Sequence, residues 1–249
     1  MNTNMNAAAL LALALLAGCS ESTVPSASPS ASAAASDAPQ PAAASSAASA
    51  APEPSLPLFK AASYPPRDDC AGLPGWREFR AKLEQVVADR DADGLGGLTD
   101  PAIVLDFGGG HGIKEMQQRL GDKDYRLWDQ ITAMLPLGCA VQDGAATLPW
   151  IYARAPNDAD PYTGMLVLGA AVPAYEKPGA AGPAFAALNW PIVNVPDYSG
   201  PQQAYTKVTL PGGKTAYVEN TKLRSLIDYR LIAERGKQGW RITALIAGD

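Results

Sequence analysis

The chain has 249 residues with 20 Lys and Arg against 25 Asp and Glu, a formal charge of −5, and no basic run of the kind that follows a phosphate backbone, so nucleic acid is excluded as a partner. A single histidine rules out a multi-histidine metal centre, and the three cysteines form no CxxC pair. No cofactor or metal is expected.

The N-terminal stretch decides how the rest is read. An apolar run from Ala7 to Ala17 ends in Leu16-Ala17-Gly18-Cys19. At about eleven residues it suits a signal h-region and falls well short of the roughly 20 needed to span a bilayer. Small residues at 17 and 18 fit an extended backbone into a peptidase, and Cys19 supplies a thiol for acylation. The pattern resembles the lipobox of bacterial lipoproteins, although Met1 to Asn6 contain no Lys or Arg. That resemblance implies removal of residues 1–18 and lipidation of Cys19, with palmitate among the acyl groups. Ser20 in place of Asp resembles an outer-membrane sorting signal, so the expected location is the periplasmic face of the outer membrane.

From Ser20 to Pro57 the chain is nearly all Ala, Ser and Pro, with Glu21, Asp37 and Glu53 as its only charges. Too little apolar surface is present to offset the entropy of ordering, so a disordered tether is expected over 19–57. Fully extended it would reach on the order of 120 Å, enough to hold a folded head clear of the lipid.

The head is expected to be α+β, with helices packed on an antiparallel sheet and a small all-β barrel beside them. Trp76, Phe79, Leu83, Val86 and Val87 fall on one face of a helix running to about Arg90. A short, weak helix around Leu95 and Leu98 follows, then a strand at 103–107, where β-branched residues dominate. Gly108-Gly109-Gly110-His111-Gly112 lacks the Gly-Lys-Ser/Thr of a Walker loop and the third glycine of a dinucleotide fingerprint. It reads as a strand-to-helix turn with positive-φ glycines. Asp106 and His111 offer an acid-base pair, but no G-x-S-x-G elbow accompanies them. A second helix, Tyr125 to about Leu137, buries Leu127, Trp128, Ile131, Met134 and Leu135. The order of helix, Arg-Asp-Ala-Asp and Leu-Asp-Phe weakly resembles the nuclear-transport-factor-like cone fold, which hosts enzymes and non-enzymes alike.

Cys70 precedes the first long helix and Cys139 follows the second, so an antiparallel helix pair would bring the two cysteines together as a disulfide in an oxidising compartment. Free buried thiols are the other reading.

Between 148 and 225 the texture changes to short strands punctuated by Pro, Gly and Asn, expected at 151–156, 164–169, 171–175, 207–210 and 213–218 with an irregular arm over 178–199. This succession resembles the bacterial SH3 family, with Ala153 to Pro156 as the opening motif and Ala216-Tyr217 standing where the family's closing Gly-Trp would be. The likeness implies a small barrel that binds cell-wall peptides, sugars or proteins, for which Tyr152, Tyr162, Trp190, Tyr198, Tyr205 and Tyr217 supply stacking surface.

A closing hairpin, 227–233 with 240–246, either continues that barrel or completes the first sheet with the barrel inserted between its halves; the first sheet's need for strands favours the second arrangement. The domains are then 58–147 plus 226–249, and 148–225. Functionally, the chain reads as a non-enzymatic, lipid-anchored envelope protein whose partners are the membrane, through the anchor, and peptidoglycan or an envelope protein. The alternative is a small-ligand binder or enzyme using a cone-like pocket near Asp106 and His111.

Overall fold

A computed structural model describes residues 56–179, 182–196 and 203–248; the lipobox with Cys19, and Tyr198, lie outside the described residues. The chain enters with β1 (Arg67–Asp68) and passes through a turn at Cys70 into α1 (Trp76–Ala88), whose buried stripe is Trp76, Phe79, Leu83, Val86 and Val87. The helix begins behind Gly75, which takes φ 72°, and stops two residues before the expected Arg90. Asp91 then caps α2 (Ala92–Gly97) by accepting a hydrogen bond from the Gly94 N–H at 2.9 Å, which seats Leu95 in the core.

The next strand, β2 (Thr99–Val104), starts four residues before the expected 103–107. Pro101 hid that start, and the sheet tolerates it because β2 is an edge strand. Beyond it the Leu105 N–H donates to Gly110 O and the Gly112 N–H to Ile103 O, each at 2.8 Å, closing a loop with Gly109 and Gly112 at positive φ. That strand-to-helix turn opens α3 (Ile113–Gly121), a helix whose extent the pattern does not define and which buries Met116 and Leu120, after which α4 (Leu127–Met134) continues as a 3-10 turn through Leu137. A hairpin follows, β3 (Gly138–Gln142) and β4 (Ala145–Leu148), turning on Asp143 and Gly144, both at positive φ.

The segment expected as a strand at 151–156 is instead a 3-10 turn, Trp150–Ala153. Next come β5 (Gly164–Val167), β6 (Val172–Tyr175), then β7 (Ala184–Leu188) and β8 (Ile192–Asn194), which give regular pairing to a stretch expected to be irregular. β9 (Tyr205–Thr209), β10 (Thr215–Glu219) and β11 (Leu223–Ser225) lead to the closing hairpin, β12 (Arg230–Gly236) and β13 (Gly239–Ile246).

These strands divide between two sheets. The first has the order β1-β3-β4-β12-β13-β2, so the C-terminal hairpin fills its centre. Its interior is antiparallel, but β1 runs parallel to β3 and β2 parallel to β13, which makes the sheet mixed where a purely antiparallel one was expected. The helices cover one face, and the core between contains Trp76, Leu83, Ile131 and Met134 against Leu148, Leu231, Ile242 and Leu245. The fold class is α+β.

The second sheet has the order β11-β5-β8-β9-β10-β6-β7. Its ends, β11 and β7, do not pair, so no closed barrel of the expected SH3-like kind exists among the described residues. The end of the expected tether and the start of the expected first domain instead cover the β7 edge: Ala187 N–H donates to Pro57 O and Phe59 N–H to Ala187 O, each at 2.9 Å. Valines and alanines from β5 to β10 line one face over their own core, and a third cluster, Ala140, Trp150, Ile151, Leu166 and Leu226, joins the two sheets. Residues 52–249 make up a single compact unit. No helix among the described residues is long and apolar enough to cross a membrane.

Candidate functional site

The turn after β2 and the first turns of α3 place Asp106 and Glu115 around one guanidinium, with His111 hydrogen-bonded to Glu115 beside them. Arg119 is only 9% exposed, and it pairs with both the Asp106 and the Glu115 carboxylates while donating through Nη1 to Leu105 O at 3.0 Å. The other oxygen of Asp106 accepts the Gly108 and Gly110 N–H groups at 2.7 and 2.9 Å. The Arg119 hydrogen bond, aided by the one from Gly110, lowers the Asp106 pKa to about 2. A general acid or base needs a pKa near the working pH, and this carboxylate is far from it. Glu115, also lowered chiefly by Arg119, accepts the His111 N–H at 3.1 Å.

His111 reaches Gly109 O through Nδ1 at 2.8 Å and does not touch Asp106, so the acid-base pair suggested by their spacing does not form. The hollow that His111 helps line, about 520 Å³, is open and otherwise walled by charged and amide side chains and Tyr125, and Asp106 is not in its wall. This corner is a structural clamp: Arg119 ties the glycine loop to α3 and stacks over Tyr125 at 5.0 Å.

Of the six aromatic residues singled out from the sequence, the five described ones do not form one surface. Tyr152 stacks under the buried Arg230 guanidinium at 4.2 Å, on the side of the first sheet, with Phe107 on the same cation at 5.5 Å. Trp190, at φ 52°, packs into the cluster between the sheets. Tyr162 is 68% exposed on the loop before β5. Among the described five, only Tyr205 and Tyr217 share a face, and there they gain a third ring outside the expected set, Tyr175.

Strand alternation makes this row. In β10, Ala216 and Val218 point to the core and Tyr217 points out; in β9, Thr206 and Val208 point in and Tyr205 and Lys207 point out; in β6, Ala174 points in and Tyr175 out. Tyr217 stands opposite Tyr175 on one side and Lys207 on the other, and Glu219 opposite Tyr205. The Tyr175 and Tyr205 rings meet edge to face at 5.7 Å and 89° across β10. All three rings are half-buried, so each offers part of its surface to solvent.

Among the described residues one group of possible metal ligands comes together, Asp68 with Cys70 and Cys139, but both sulfurs are joined in a disulfide with Cα atoms 5.7 Å apart. The bridge is set by β1 pairing with β3, where Asp68 lies opposite Cys139, and not by the ends of the two helices as their spacing suggested.

The sequence matches no family model and no curated protein. Among solved structures it is similar to an NTF2 variant carrying five substitutions, at 10% identity over 70% of this chain and 96% of the other, with a TM-score of 0.27. It is similar also to an NTF2-like protein with a cystatin-like fold from Novosphingobium aromaticivorans, at 13% identity over 69% of this chain and 77% of that one, TM-score 0.26. Superpositions this loose fix neither a family nor a function.

Proposed function

We propose that this chain is a lipid-anchored, non-enzymatic envelope protein that presents the outer face of its seven-stranded sheet to the cell wall or to another envelope protein. The observation that carries the reading is the row Tyr175, Tyr217 and Tyr205 on three adjacent strands, flanked by Lys207 and Glu219. Partly exposed tyrosines on a rigid sheet provide ring faces for sugars or peptide side chains with hydroxyls at their rims, at little conformational cost. The likeness of residues 151–218 to bacterial SH3 modules belongs to this reading through its sequence pattern, and the cone-like likeness of the first part adds no role to it. A catalytic reading around Asp106 and His111 has less support, because Arg119 and two backbone N–H groups occupy Asp106 and the hollow at His111 is open and polar.

Purified peptidoglycan should sediment the Cys19→Ser chain, and Tyr217→Ala should weaken that binding about two- to tenfold, the range of one aromatic contact. Unchanged sedimentation of a Tyr175, Tyr205 and Tyr217 triple alanine variant, with its melting temperature kept, would remove the tyrosine row from the binding surface. Anchoring is tested separately. Wild-type protein should fractionate with membranes and carry a modified Cys19 at its N-terminus, whereas Cys19→Ser should accumulate as precursor or leave the membrane. A soluble wild-type protein with another N-terminus would end the lipoprotein reading.

A further inference from the structure

The outer face of the seven-stranded sheet does not end at the tyrosines. Tyr205, Lys207 and Thr209 alternate along one face of β9, and Thr209 stands opposite Asn194 of β8, which stands opposite Gly164 of β5. There the sheet meets the N-terminal arm, held by the Tyr64 N–H donating to Trp190 O at 2.9 Å, and the 156–160 loop. A groove of about 360 Å³ opens between them, in the size range of small-ligand sites. Ile192, Leu210 and Pro211 give it apolar walls, with Tyr64 on one side.

Its charge is one-sided. Asp158 and Asp160 are in the lining, and no Lys or Arg is. Asp160 accepts the Tyr162 N–H at 2.9 Å and further hydrogen bonds from Thr163, which lower its pKa and engage its oxygens, so the rim carboxylate left to meet a ligand is that of Asp158. Asp158 is exposed and makes no ion pair or hydrogen bond among the described residues. The groove therefore joins apolar walls long enough for an alkyl stem to a negative rim, and this is the complement of an amino-terminated side chain, whose methylenes pack while its ammonium meets a carboxylate.

We propose that this groove binds the primary ammonium of a basic side chain on an extended peptide. The proposal rests on the reading of this sheet face as the binding face and adds the chemistry it selects. Along β9 the four residue steps from Thr209 to Tyr205 cover about 13 Å, so a bound peptide of about five residues would reach from the groove to the tyrosine row.

The test titrates the full Cys19→Ser chain with acetyl-Ala-Lys-Ala-amide and with the same peptide carrying norleucine, which keeps the stem and removes the charge. The lysine peptide should bind saturably and shift the amide resonances of Ile192, Asn194 and Leu210, about three- to fivefold more tightly than the norleucine peptide, the range of one partly exposed ion pair. Asp158→Asn, on an exposed loop, should erase that preference without changing the norleucine affinity, and 0.5 M salt should reduce it. Equal affinities for the two peptides, no saturable binding, or a lysine preference that survives Asp158→Asn would each overturn the proposal. Tyr217→Ala separates it from the broader reading: the tripeptide is too short to need the tyrosine row, so this variant should keep the lysine preference while losing affinity for the wall. Wall binding without a lysine preference defeats the groove alone, and a lysine preference without wall binding defeats the wall reading alone.

Discussion

A chain ending at Leu223 is expected to lose its helical layer, not merely β11 and the last two strands. β12 and β13 lie between β4 and β2 in the first sheet, so their removal leaves β2 without a partner strand and β1-β3-β4 as a separate ribbon. Leu231, Trp240, Ile242 and Leu245 leave the core with them, and the Trp240 ring packs edge-on against Trp76 of α1 at 5.1 Å while its N–H donates to Pro74 O at 3.0 Å. Four such side chains at about 1.5–3 kcal/mol each amount to roughly 6–12 kcal/mol, comparable with the whole stability of an ordinary domain. Far-UV circular dichroism should show the helical signal lost and no cooperative melt for that part. The converse deletion, 150–225 replaced by a short linker, should keep the helical signal, because β4 already pairs with β12 from Leu148 opposite Leu231. A truncated chain that melts like the full one would mean the helices do not depend on the hairpin.

What was legible in the sequence was what repeats locally. The stripe of α1 is readable because five large apolar residues recur at helical spacing, and the closing hairpin because Trp240, Ile242 and Ala244 alternate with Arg241 and Thr243 opposite an apolar run at Leu231–Ala233. The β3–β4 hairpin carries its own signal, Asp143-Gly144 between apolar runs, where both turn residues take positive φ. α3 hid because a nine-residue helix with Met116 and Leu120 as its buried apolar residues follows a glycine run that dominates the pattern. β7 hid behind its alanines, which carry little strand preference, and β8 hid because it is only three residues long, Ile192–Asn194, directly after Pro191 and paired with β5 and β9 on either side. The same limit governs the sites. Tyr175 lies in a strand that was recognised, and its alternation with Ala174 was enough to place it outward, yet its meeting with Tyr205 depends on β10 lying between β6 and β9. The groove depends on the arm returning to Trp190 across more than a hundred residues, which no local pattern records.

Breaking the Cys70–Cys139 bridge is expected to lower stability strongly without releasing the protein from the membrane. The two cysteines are 69 residues apart in sequence, a loop for which chain-entropy estimates give roughly 4 kcal/mol, and for a domain of this size each kcal/mol moves the melting temperature by about 2–4 °C. Cys139→Ser, or reduction of the wild type under mild denaturant, should thus lower it by about 8–16 °C. The local effect follows from what the bridge holds. Both cysteines are 1% exposed or less, and β1 is short: Arg67 and Asp68 pair with Gly138 and Cys139, and the Asp69 N–H donates to Cys139 O at 2.8 Å. Around it Trp150 donates its ring N–H to Asp69 at 2.9 Å and lies under the Arg67 guanidinium at 5.0 Å. Just upstream, the arm at 57–64 pairs with β7 and Trp190 of the other sheet, so the bridge pins the one stretch that touches both sheets before α1 begins. Hydrogen exchange in Cys139→Ser should therefore speed first at Asp69 and Tyr64, well ahead of Leu83 in α1. Attachment should not change, because the expected anchor is a different cysteine, Cys19. Two free thiols in protein taken from the envelope, or a melting temperature indifferent to Cys139→Ser, would show that β1 stays on β3 by hydrogen bonds and core packing alone.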